Sequence, residues 1–336
     1  MRFSTLLSRL LAGLAWLLVL AATPARAQTA PAWASVRRIP TISAGFTDGY
    51  DIAIGADGSQ YVTGLFTGPL MLGSTALIPG MGQGHLFLAK YSAAGVVQWA
   101  TQLDASSGSF LRSEVAVDAA GNVYLAGNFV DAITIGSTTL TNTVSPGSTA
   151  VDGYLVKYDA QGVQQWVRQA VAGTTGNSGA AFLYGVATEA SGNVVVAGDF
   201  VNTVSFGGTP LFGVGVYFCR FSPTGALLLS KRVSDAGYLE GLALDGAGNA
   251  YLAGGITGPT AFGAFTLAPA GTSTGDAFLC KLDPVGNVLW ARSGGVAGAG
   301  EAAGNCVAVD AAGNAVIGGS VDANSATARL YVARFT

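Results

Sequence analysis

Beyond residue 50 the chain alternates short apolar runs with clusters of Gly, Asp, Asn, Ser and Pro. Past residue 27 no apolar period of 3.6 persists. The pattern therefore predicts short strands joined by tight turns rather than helices. The segment from Glu114 to Gly127 is typical. EVAVD and NVYLAG are apolar at most positions, as strands buried on both faces are, and AAGN between them places Gly121 where a turn demands positive φ.

This unit recurs. With Gly58, Gly121, Gly192, Gly248 and Gly313 in register, every copy has alanine five residues earlier: Ala53, Ala116, Ala187, Ala243 and Ala308. Every copy has glycine six residues later: Gly64, Gly127, Gly198, Gly254 and Gly319. Four carry an acid before the turn, Asp118, Glu189, Asp245 and Asp310, with Gly55 in the first copy. A second hairpin follows, as in YLVKYDAQGVQQWV and FLCKLDPVGNVLWA. It has a basic residue before its turn (Lys90, Lys157, Arg220, Lys281, Arg334) and usually Trp after it (Trp99, Trp166, Trp290, but Leu229 in the third copy).

Four strands per repeat in meander order predict an all-β fold, a five-bladed β-propeller of four-stranded antiparallel blades. The repeats fall at about 50–102, 113–169, 184–232, 240–292 and 305–336. The fifth reaches only its third strand, LYVARFT. In PAWASVRR, residues 31–38, Trp33 stands in the register of the other tryptophans. This N-terminal strand is expected to complete the last blade and close the ring, leaving no free edge.

The pattern VAVDAAGNVYLAG … YLVKYDAQGVQQW resembles the bacterial SBBP β-propeller repeat family and secreted propellers of Bacteroidetes-like bacteria. The resemblance spans most of 34–336. It implies a propeller fold in a secreted or surface protein, and it brings no catalytic motif with it.

The first 27 residues read as a signal peptide: Arg2 and Arg9, the apolar run LLAGLAWLLVLAA, then the small-residue cleavage site Ala25-Arg26-Ala27. Residues 28–336 then form a single domain with no membrane-spanning segment, expected outside the cytoplasm: extracellular, at the cell surface or in the periplasm. The formal net charge is −3 and becomes more negative without the leader. That disfavours nucleic acid as a partner. A monomer is expected. So are free thiols at Cys219 and Cys280, whose register elsewhere holds small apolar residues.

Strand direction sorts the connections. The Gly-Asn turns and the Pro-x-Gly turns share one face, called far here. The long, unequal segments 65–84, 128–152, 199–215 and 255–276 share the near face, where irregular loops on a rigid scaffold usually carry function. At the near mouth of the axis stand Tyr50, Asp51, Glu114, Tyr184, Glu240 and Asn305, with Asp199 beside them. These are the ligand-binding candidates for a glycan, peptide or protein partner. Asp51, Glu114 and Glu240 are the only candidates for a glycosidase acid/base pair, which is the alternative reading. A structural envelope component is the third. Asp118, Glu189, Asp245, Asp310 and the basic residues Lys90, Lys157, Arg220, Lys281 and Arg334 are expected to fix turns. No metal or cofactor is expected, since one acid and one Asn per turn fall short of the six to eight oxygens calcium takes.

Overall fold

The computed structural model describes residues 45–80, 84–107, 112–142, 150–173, 179–270, 275–294, 302–321 and 329–335. The leader and the 31–38 segment lie outside the described residues. The described chain is all-β and antiparallel within its sheets, and no helix occurs in it.

Five units follow one another. Unit 1 comprises β1 (Thr47–Ile54), β2 (Gln60–Phe66), the small hairpin β3 (Leu70–Leu72) and β4 (Thr75–Leu77), then β5 (Gly84–Tyr91) and β6 (Val97–Ala105). Unit 2 repeats it: β7 (Arg112–Val117), β8 (Val123–Phe129), β9 (Ala132–Ile135), β10 (Thr138–Thr141), β11 (Asp152–Tyr158) and β12 (Gln164–Gly173). In unit 3, β13 (Ala180–Ala181) and β14 (Gly185–Thr188) precede β15 (Val194–Ser205), β16 (Leu211–Phe221) and β17 (Leu227–Arg232). Here the small hairpin is fused into β15 and β16, which stay paired from Val194↔Phe221 to Val204↔Leu211. Unit 4 has β18 (Tyr238–Leu244), β19 (Ala250–Ile256), β20 (Thr260–Phe262), β21 (Phe265–Leu267), β22 (Asp276–Leu282) and β23 (Val288–Gly294). Unit 5 has β24 (Ala302–Val309), β25 (Ala315–Val321) and β26 (Arg329–Phe335).

The turns explain the repeat signature. Asp118 accepts hydrogen bonds from the backbone N–H groups of Ala120 and Asn122 at 2.9 Å and from Asn122 Nδ2 at 2.7 Å. Asp245 and Asp310 make the same three contacts within their own turns. The side chain thus caps a turn whose glycine has φ near +80°. The second turn uses the same device, with Asp159 and Asp283 as acceptors. Glu189 accepts from Asn193 Nδ2 at 3.0 Å and also pairs with Arg220, and Lys281 Nζ lies 3.2 Å from Asp245 Oδ2. Arg334 and Asp310 approach to 4.0 Å at an exposed position.

Other recurring residues join one unit to the next. Lys90 Nζ and Trp99 Nε1 both donate to the carbonyl of Ala160, in the second turn of unit 2. Lys157 and Trp166 do the same to Pro223 in unit 3. The Trp rings pack on Tyr61 and Tyr124, whose faces also receive the lysines at 5.3 Å. The outer strands reach forward as well. β6 pairs with β9 through Leu103↔Ile135, and β12 with β15 through Val171↔Ser205. Ser234 bridges Phe262. Units 1 to 3 therefore each pair an edge with their successor. Their apolar residues form continuous cores, such as the cluster joining Leu86 and Leu103 of unit 1 to Leu125, Ile133 and Tyr154 of unit 2.

Candidate functional site

The innermost strands stack in chain order: β1 on β7, β7 on β14, β14 on β18, β18 on β24. Their near ends carry the polar residues. A second set of contacts between units sets their positions. Val115 N–H donates to Asp51 Oδ2 at 2.8 Å, Leu183 N–H to Asn128 Oδ1 at 2.7 Å and Leu239 N–H to Asp199 Oδ1 at 3.0 Å. Asn128 and Asp199, which share the column after the recurring glycine, and Asp51 from an inner strand thus do one job, satisfying a backbone donor of the following unit. Asp51 and Asp199 consequently anchor the scaffold as well as facing the site.

The centre of the site is Arg112, the first residue of β7. Its Nη1 donates to Glu240 Oε2 at 3.1 Å, and its Nε lies 3.5 Å from Glu114 Oε1. Its guanidinium also sits over the Tyr184 ring, with Cζ 5.3 Å from the centroid. Phe182 stacks behind Tyr184 at 5.4 Å with an interplanar angle of 12°. The Arg112–Glu240 pair links unit 2 to unit 4, so the two inner strands approach across unit 3.

The acids outnumber the one cation. Burial pushes Glu114 up to about 8, the Asp51 charge adds to this, and Arg112 opposes it. Burial likewise raises Asp199 to about 7, against the Leu239 N–H and with the Glu240 charge behind it. Tyr50 is half-buried and raised by burial and by Asp48, with Arg112 acting the other way.

Of the candidates, Tyr50, Asp51, Glu114, Tyr184, Asp199 and Glu240 gather around Arg112. Asn305 is exposed, at the unit 5 bulge that matches those at Tyr50 and Glu240. Arg112 itself escapes sequence reasoning because its column holds no recurring residue. The available signal was a lone basic side chain opening an inner strand beside three acids. Elsewhere the polar groups are occupied structurally. His85 Nδ1 lies 2.7 Å from Asp104 Oδ1, and the matching Asp152 accepts from Gln169 Nε2 and Ala172 N–H. Cys219, Cys280 and Cys306 are free, the first two buried, and burial drives the Cys219 thiol up to about 12.

No family model matches the chain. The Uncharacterized WD repeat-containing protein L264 of Acanthamoeba polyphaga mimivirus is 28% identical over 183 residues, which is 47% of this chain and 13% of that protein. Among solved structures, the Synechocystis apocarotenoid oxygenase is 12% identical with a TM-score of 0.40, over 83% of this chain and 57% of that chain. A GH43 glycoside hydrolase is 12% identical with a TM-score of 0.36, over 89% and 52%. The extracellular domain of a one component system from B. thetaiotaomicron is 12% identical with a TM-score of 0.35, over 88% and 34%. Among the described residues no helix is long and apolar enough to cross a membrane.

Proposed function

We propose that this chain is an exported binding protein, a five-bladed propeller that takes a glycan, peptide or protein partner at the near-face mouth of its axis. The observation that carries the reading is the convergence on Arg112 of acids and aromatics from units 1 to 4, while the far-face turns spend their polar groups on each other. Loops on this face supply the rim. Its test is a glycan array and a peptide array probed with residues 28–336, compared with the Glu240→Gln variant. Retained ligands whose binding drops at least tenfold in the variant support the site. Binding that ignores the substitution places the ligand elsewhere.

A glycosidase is the second reading. A carboxyl raised to about 8 by burial beside further carboxyl groups is the chemistry an acid/base pair needs. Arg112, however, lies between Glu114 and Glu240, where the scissile bond would have to lie. The binding reading predicts no turnover across a panel of aryl glycosides. Hydrolysis lost in both Glu114→Gln and Glu240→Gln would replace it with the enzyme.

Ring closure belongs to the same proposal. β26 pairs only with β25 among the described strands, and it holds Leu330 and Val332 in solvent. The 31–38 segment, with Trp33 in register, is the strand proposed to cover them. Deleting 31–38 should broaden the thermal transition and lower its midpoint. A sharp transition at the wild-type temperature would refute closure by this segment.

A further inference from the structure

Arg112 is held as a ligand would be. Two acidic side chains approach its guanidinium at different nitrogens, Glu240 at Nη1 and Glu114 at 3.5 Å from Nε, and an aromatic face lies beneath it. Planar, forked recognition by acids and stacking on an aromatic ring are both specific to guanidinium over ammonium. The side chain is 41% exposed, so it fills the cage without being locked in. A second feature points the same way. Tyr217 and Tyr331 donate their hydroxyls to the carbonyls of Phe182 and Ala303. Tyr154 holds the equivalent position in unit 2, is fully buried, and its hydroxyl has no partner. That hydroxyl lies buried near Gly127 and the Arg112 carbonyl, behind the site, where the Glu114 and Tyr50 charges act on it. An unsatisfied buried hydroxyl is costly unless something arrives to meet it.

We propose that Glu114, Glu240 and Tyr184 form a cage for the arginine side chain of a peptide, and that Arg112 is its built-in occupant, displaced when the peptide binds. The inference rests on the near-face reading above and names its ligand. The titratable groups around the cage are Tyr50 and Asp51 of β1, Glu114 beside Arg112 on β7, Tyr184, Asp199 of β15 and Glu240 of β18, with Tyr154 of β11 buried behind them. A second cation is balanced by ionising Glu114, so binding releases a proton and affinity rises with pH from 6 to 9.

The test is calorimetric titration of Nα-acetyl-arginine methylamide into wild type and Arg112→Met, which keeps the apolar stem. The expected result is at least tenfold tighter binding to the variant. Adding Glu240→Gln should lose that gain, and the neutral isostere Nα-acetyl-citrulline methylamide should not bind. Should Arg112→Met not fold, Arg112→Lys keeps the charge but not the fork and should show a smaller gain. A folded variant of either kind that binds the probe no better than wild type overturns the cage and leaves Arg112 a structural ion pair. Array ligands that bind through Glu240 yet carry no arginine overturn the cage alone. Array binding insensitive to Glu240 overturns both readings.

Discussion

Alanine at Gly198 is expected to lower stability by on the order of 4 kcal/mol and the melting temperature by roughly 10 °C. Gly198 lies on β15 opposite Tyr217. A Cβ there would overlap the carbonyl of Phe182 and meet the Tyr217 hydroxyl at 2.9 Å. It would also break the 2.7 Å hydrogen bond between those two groups. Neither neighbour is the free end of a flexible chain, so the backbone itself must move. Gly64, Gly127, Gly254 and Gly319 press the same way on Asp48, Arg112, Tyr238 and Ala303. In units 1, 4 and 5 the inner strands also bulge beside these glycines, at Gly49/Asp51, Leu239/Gly241 and Gly304/Cys306. Gly246→Ala is the control, since its Cβ would meet nothing within 4 Å. Thermal denaturation of both variants decides the matter. A Gly198→Ala protein within about 1 kcal/mol of wild type would refute the packing argument.

The second large effect is on pH. Glu114 and Asp199 keep protons in the folded chain that they would release when unfolded, since burial holds them at about 8 and about 7. Their contribution is full below the ordinary carboxylate range and is lost as pH rises through 7 and 8. At the acid end Asp245 and Asp283 act oppositely. Their turn hydrogen bonds outweigh burial and hold them low, so their contribution is lost as pH falls below their usual range. The melting temperature should therefore peak near pH 5 and decline toward pH 9. A tenfold change in proton affinity corresponds to about 1.4 kcal/mol, and the decline should amount to several kcal/mol. Glu114→Gln and Asp199→Asn should each flatten it, and both should melt above wild type at pH 9. A melting temperature that climbs from pH 5 to pH 8 would show these carboxyls to be ionised in the fold.

The repeat was legible because its constraints are local and recur in register. Gly121 needs positive φ, Gly127 faces a carbonyl, and Asp118 caps its own turn, so five copies repeat the glycines and four the acid. The role of Lys90 and Trp99 was only half legible. Their recurrence is visible, but their shared acceptor, Ala160, belongs to the next unit. The caps between units were illegible for a different reason. Asn128 and Asp199 share one column and cap donors in matching register, but that column holds Leu65, Gly255 and Ser320 in the other copies, and Asp51 caps from an inner strand instead. Arg112 was missed because its meaning depends on Glu240, 128 residues away, and no periodicity encodes a contact made once.

The forward reach of each unit also gives the chain a direction. Trp99 and Lys90 find their acceptor only when the turn at Ala160 exists, and Trp166 and Lys157 wait in turn for Pro223. During synthesis a unit thus leaves the ribosome complete in sequence but unfinished in hydrogen bonding. It settles when its successor emerges. Damage follows the same arrow: a turn that fails in one unit unfastens the tryptophan of the unit made before it.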